Sequence, residues 1–174
     1  MTKPSEAAER LKAKFGEAIL SVSEFRGEVN VTVGKNAIRD ILLFLKNSDD
    51  LRYDLLIDLC GVDYCGDDPR FEIVYLLHSL PNNNHLRIKT RLRENETIDT
   101  VSDVWKAADW MEREIYDMLG ISFNNHPDLR RILLVDDFSG HPLKKDFPLE
   151  GPDFDKPFTV QLEEETRTDK GFNG

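Results

Sequence analysis

Apolar residues recur along the first half of the chain with two periods. Ala7, Ala8, Leu11 and Phe15 share one helical face, with Ser5 as the predicted N-cap and Gly16 as the stop. Residues 18–25 read as a strand and Arg26-Gly27 as a turn. Val29, Val31 and Val33 then alternate with Glu28, Asn30 and Thr32, the period of a half-buried strand. Ala37, Ile38, Ile41, Leu42 and Leu45 return to helical spacing over 36–46. Three strands follow at 53–59, 71–78 and 86–92, parted by turn residues at 65–69 and 80–84. Val101 and Val104 suggest a short helix over 98–105. The best-defined helix is 109–119: Asp109 and Glu112 make a capping-box-like pair, Met111, Ile115, Met118 and Leu119 an apolar stripe, and Gly120 the stop.

This order predicts an α+β fold, a mostly antiparallel sheet covered by helices, over residues 1–136. Beyond that the periodicity stops. Residues 137–174 hold Pro142, Pro148, Pro152 and Pro157 together with Phe138, Phe147, Phe154, Phe158 and Phe172. A disordered linker is poor in aromatics, so 137–174 reads as an extended, irregular arm whose rings bury against a partner protein. The alternative is an extension folded back on its own domain.

Composition narrows the function. The 174 residues carry 33 acids and 23 bases, a net charge of −10. That argues against nucleic acid and against an anionic membrane surface as direct partners. Most of the acidity lies in the second half: residues 91–174 have 19 acids against 11 bases. No apolar run is long enough to span a bilayer, and the first residues lack a signal core. These features read as a soluble protein in a reducing, cytosol-facing compartment.

Candidate chemistry is thin. Cys60, Cys65, His78 and His85 do not match zinc-ligand spacing in both halves, and no metal site is expected. Nucleotide-binding glycine motifs and a nucleophile elbow are absent. The strand 85–93 places Arg87, Lys89, Arg91 and Arg93 on one face, either a dock for an acidic partner or neighbouring acidic strand, or a solvated sheet face. The densest cluster is Glu112-Arg113-Glu114-Ile115-Tyr116-Asp117 followed by His126-Pro127-Asp128-Leu129-Arg130-Arg131. Arg113 and Asp117 are spaced as an i,i+4 pair. The cluster reads three ways: an acid/base site, a charged helix face, or a polar interface fixed by arginine–carboxylate pairs. The third fits best.

The stretch 112–123, followed without a gap by 124–133, closely resembles the signature of one family, the C-type or hydrophilic 30-kilodalton-type subunit of respiratory NADH:quinone oxidoreductase (complex I). Its pattern is Glu-Arg-Glu-x-x-Asp, two apolar residues, six residues, a histidine, three residues, then an arginine. Residues 58–64, 70–75, 101–110 and 140–149 are similar to further stretches of that family. Lys144 stands where the family commonly has arginine, Cys60 and Cys65 also depart from it, and beyond Gly151 only 161–167 is similar.

The resemblance implies a non-catalytic structural and assembly subunit of the peripheral arm, on the cytoplasmic face of the bacterial inner membrane. It implies no flavin, iron–sulfur cluster or quinone site in this chain, with FMN and the clusters in partner subunits. The implied partners are the D-type subunit, which helps form the quinone cavity, and subunits of the B and I type. The implied interface carries Glu112, Arg113, Glu114, Asp117, His126, Arg130, Arg131, His141, Lys144, Lys145, Asp146 and Phe147. Arg130 and Arg131 should meet carboxylates within the chain or across the interface. Two other readings stand beside this one. The first is the equivalent subunit of a plastoquinone oxidoreductase or a membrane-bound hydrogenase complex; the second is a self-contained small enzyme using His126, His141 and nearby carboxylates.

Overall fold

The computed structural model describes residues 2–150. In chain order the elements are α1 (Pro4–Phe15), β1 (Ile19–Phe25), β2 (Glu28–Val33), α2 (Ile38–Asn47), β3 (Leu55–Asp63), β4 (Phe71–Ser79), β5 (Asn84–Leu92), β6 (Ile98–Asp99), α3 (Ala108–Leu119) and β7 (Phe123–Asn124). Five strands form one sheet in the order β1-β2-β5-β4-β3. Within it only the β2–β5 pairing is parallel; the others are antiparallel. The fold is α+β, as expected.

Alternation divides the sheet into two faces. Val31, Val33, Ile73, Tyr75, Leu77, Leu86 and Ile88 point into a single core with Ala7, Leu11, Ile38, Ile41, Leu42, Leu45, Ile115 and Leu119 of the helices. The opposite face carries Cys60, Glu72, Arg87, Lys89 and Arg91. Its cations are matched within the chain. Arg87 meets Glu28 at 2.6 Å, Lys89 meets Glu72 at 3.0 Å, and Arg93 meets Asp68 at 2.9 Å. Of the two readings of the basic strand, neighbouring acidic residues in the same chain account for it.

Three local expectations are corrected. Helix α1 starts at Pro4, ahead of Ser5, with Lys3 as N-cap; the Lys3 N–H donates to the Glu6 carboxylate at 3.3 Å. Proline at the first helical position has no N–H to satisfy. Residues 98–105 are not a helix. Ile98–Asp99 pairs with Phe123–Asn124, and turns through Val101 and Val104 follow. The N–H groups of Ile98 and Thr100 go to the carbonyls of Ser122 and Asn124, which keeps 98–99 extended, and those of Val104 and Trp105 both turn back to the Val101 carbonyl, a single turn. Nor do Asp109 and Glu112 cap α3. Its N-cap is Ala107 with no side-chain cap; the N–H groups of Ala108 and Asp109 bond back to Trp105 and Lys106.

The described part of the arm, 137–150, is irregular and lies against its own domain. The Leu143 N–H donates to the Met118 carbonyl at 3.0 Å, and Phe138 and Phe147 stack with ring centres 6.0 Å apart. Residues 137–150 thus touch their own domain, with Leu143 and Leu149 left exposed. Phe154, Phe158, Phe172 and the stretch 161–167, on which the partner-wrapping expectation also rests, fall outside the described residues.

Candidate functional site

Helix α3 lies on β3 through Ile115 and Leu119, which close over Gly61; any Cβ there would run into Leu119. At its C-terminus Gly120 takes a left-handed conformation, φ 76°, and its N–H bonds to the Tyr116 carbonyl. The ring of His141 sits against Gly120, 2.7 Å from where a Cβ would stand. The helix is thus held at a close-approach glycine on one side and a positive-φ glycine at its end.

From this helix the signature side chains reach two segments. Glu112 is fully buried and turns toward residues 100–101. One oxygen accepts the Val101 N–H at 2.7 Å, and the other bonds to the Thr100 hydroxyl. His126 Nε2 is 3.8 Å from the same carboxyl and 3.2 Å from both the Asp109 carbonyl and its side chain. The Asp128 N–H donates to His126 Nδ1 at 3.1 Å, which places the proton of a neutral ring on Nε2, facing Asp109. Burial pushes the Glu112 carboxyl up, against the Thr100 and Val101 hydrogen bonds and with help from the Asp109 charge, to about 7.

One turn further along α3, Asp117 makes the second attachment. It is also fully buried. Oδ1 receives Arg131 Nη1 at 2.6 Å, and Oδ2 receives three successive N–H groups, from Ile132, Leu133 and Leu134, at 3.0, 2.8 and 2.9 Å. Burial alone would raise this carboxyl; the three amides and Arg131 outweigh it and hold it at about 2. Arg131 also donates to the carbonyls of Phe138 and Gly140. Arg113 donates to the carbonyls of Arg130 and Arg131, so the expected Arg113–Asp117 pair is not made. His141 donates from Nδ1 to the Asp117 carbonyl at 2.8 Å.

A third cluster, around Arg70, fastens the segment 144–147. Arg70 holds Asp63 with two hydrogen bonds of 2.8 Å and also meets Asp146 and Glu94. Lys144 joins Glu94 at 3.1 Å, and the Lys145 N–H donates to Asp63. Phe147 packs over Gly140. Asp63, Arg70 and Glu94 do not stand out in the sequence. They come from three places along the chain, and only the pairing of β3 with β4 brings Asp63 opposite Phe71, beside Arg70.

Glu112 and His126 have no exposed side-chain surface. A polar cleft of about 570 Å³ opens next to them, lined by Arg39, Asp103, Lys106, Asp109 and Asn124, but neither Glu112 nor His126 reaches it. Among the described residues, no three His, Cys, Asp or Glu side chains could together hold a metal ion.

What the attachments leave outside is apolar. Trp110 is 63% exposed on α3, and Leu133 and Val135 are 62% and 66% exposed on the strap that Asp117 anchors. Arg113 links them, lying over the Trp110 ring while it bonds the strap carbonyls. Glu114 is exposed on the same helix, and the Arg130 side chain pairs with its neighbour Asp128 at 2.9 Å on the surface. Large rigid apolar side chains framed by charges are the make-up of a protein-docking surface.

Comparison with known proteins agrees with this geometry. Residues 31–153 match the family described as "Respiratory-chain NADH dehydrogenase, 30 Kd subunit". The C-type subunit of NADH-quinone oxidoreductase from Geotalea uraniireducens is 54% identical over 154 residues, covering 88% of this chain and 93% of the relative. Its counterpart from Roseiflexus sp. is 45% identical, covering 81% and 82%. Among solved structures, a chain of the membrane-bound sulfane sulfur reductase, an archaeal respiratory membrane complex, superposes with a TM-score of 0.71 at 25% identity, covering 83% of this chain and 85% of that one. No helix among the described residues is long and apolar enough to cross a membrane.

Proposed function

The chain belongs to the family of the 30 Kd subunit of respiratory-chain NADH dehydrogenase, the C-type subunit of NADH-quinone oxidoreductase, and on that premise we propose that it is a non-catalytic structural and assembly subunit of the complex's peripheral arm. In this reading it packs on the quinone-cavity subunit and lies near the cluster-bearing B- and I-type subunits, on the cytoplasmic face of the membrane. FMN and the iron–sulfur clusters belong to partner subunits.

One observation carries the proposal. The buried charged members of the signature are spent inside the chain, holding the 126–135 strap to α3, while Trp110, Leu133 and Val135 are left on its surface. A catalytic set needs access to its substrate; an assembly subunit needs a firm, apolar contact surface. Glu112 and Asp117 therefore shape the interface from within, and Trp110, Leu133, Val135, Glu114 and Arg130 meet the partner. The test is affinity purification of the tagged chain from its native cells in mild detergent, with NADH:quinone reductase activity assayed in the eluate. Flavin, cluster and quinone-cavity subunits should co-purify with activity. Recovery of the chain alone would refute the proposal.

The structural similarity to a sulfane sulfur reductase chain favours one second reading, the equivalent subunit of a related membrane complex. Co-purification without the flavin-bearing NADH module would select it.

A further inference from the structure

We propose that His78 and His85 form a two-imidazole site for a divalent transition-metal ion on the sheet face away from the core. In the sequence these histidines are only half of an ill-spaced four-residue set. The fold separates that set. His78 and His85 are direct partners across β4 and β5, whereas Cys60 lies opposite Val74 and Cys65 sits in the loop beyond β3. The two rings stand 4.5 Å apart between centres, tilted by 36°. With imidazole nitrogens about 2.0 Å from an ion, two cis ligands place their ring centres about 4.5–5 Å apart.

The surroundings suit a ligand pair. His78 Nδ1 is buried with no hydrogen-bond partner among the described residues, and a half-turn of the ring brings that nitrogen to the other side. His85 is exposed, so an ion has a path from solvent. Leu55, opposite His78 on β3, offers no competing donor. The nearest cation along β5 on that face is Arg87, which is drawn toward β2 by Glu28 at 2.6 Å and Asn30 at 2.9 Å. Two neutral imidazoles with water in the remaining positions favour Cu(II) over Ni(II) and Zn(II). A bound ion would clamp the β4–β5 hairpin beside the turn whose Asn82 and Asn84 hold Thr2.

The test titrates the untagged full chain with Cu(II) and with Zn(II) by calorimetry, and reads the Cu(II) coordination by electron paramagnetic resonance. The expected result is one site per chain, tighter for Cu(II), with two coordinated nitrogens. Loss of one of two linked ligands in His85→Ala should weaken it by about tenfold or more. His85 is exposed, so this variant keeps the fold, which circular dichroism verifies. His78→Ala should weaken binding equally. No saturable binding, a single coordinated nitrogen, or affinity unchanged in His85→Ala would overturn the proposal.

Discussion

Arg131 Nη1 stands 2.6 Å from Asp117 Oδ1, joining the last turn of α3 to the strap that follows it. Both groups are withdrawn from water: Asp117 has no exposed side-chain surface and Arg131 only 16%. The same carboxylate caps three consecutive strap amides. One aspartate therefore sets the path of a whole loop, and its absence would strand a guanidinium and three N–H groups together.

Asp117→Ala should accordingly destabilise the chain by about 3–5 kcal/mol, the range for breaking one side of a buried ion pair. Chemical denaturation of the isolated chain measures it. The pH dependence has a definite sign. The Asp117 carboxyl titrates at about 2 in the folded chain against its usual 3.8, so its contribution is complete above about pH 4 and is lost as pH falls toward 2. The gap between wild type and Asp117→Ala should narrow over that acid range. A constant difference would show that Asp117 is not held as described.

Glu112 has the opposite dependence. Its folded carboxyl keeps its proton up to about 7, above its usual 4.5, so the folded state binds the proton more tightly than the unfolded chain does. Stability should fall as pH rises from about 4.5 to 7 and level off beyond. Glu112→Gln can still accept from the Val101 N–H and donate to Thr100, and it does not titrate. Measured against this variant, the wild type should lose about 3 kcal/mol across the window. A gap independent of pH would count against a protonated, buried Glu112.

Gly61 tests how closely α3 approaches β3. Gly61→Val puts two methyl groups where Leu119 and Ile115 already pack, and overfilling of this kind costs about 1–3 kcal/mol. A thermal midpoint equal to wild type would mean that the helix can move away freely.

Much of the fold is legible along the chain. The alternation at 85–93 locates β5 and both of its faces, because a strand buried on one side leaves a period-2 record. The spacing of Met111, Ile115, Met118 and Leu119 locates α3 for the corresponding reason. The errors arise where one spacing serves two purposes. Asp109 and Glu112 have the separation of a helix cap, but the preceding turn already satisfies the first amides, and the fold draws Glu112 inward to Thr100 and Val101. Val101 and Val104 have helical spacing but belong to turns, because pairing with β7 holds 98–99 extended and leaves a single turn after them. The parallel β2–β5 pairing leaves no local trace, since it joins residues far apart in sequence, and the Arg70 cluster adds Glu94 and Asp146 from distant stretches to its near neighbour Asp63. The His78–His85 pair lies between these cases. Each residue stands out in the sequence, but only the register of the hairpin makes them neighbours.

If the buried signature charges serve to present an apolar strap to a partner, spoiling the strap alone must abolish assembly. The most direct test is the double variant Leu133→Asp and Val135→Asp, expressed in place of the natural chain in its own cells. Both side chains are more than 60% exposed, so the isolated variant should unfold within about 1 kcal/mol of wild type. The predicted result is that the yield of assembled, active NADH:quinone oxidoreductase collapses while that stability is retained. Normal assembly with both aspartates in place would contradict it.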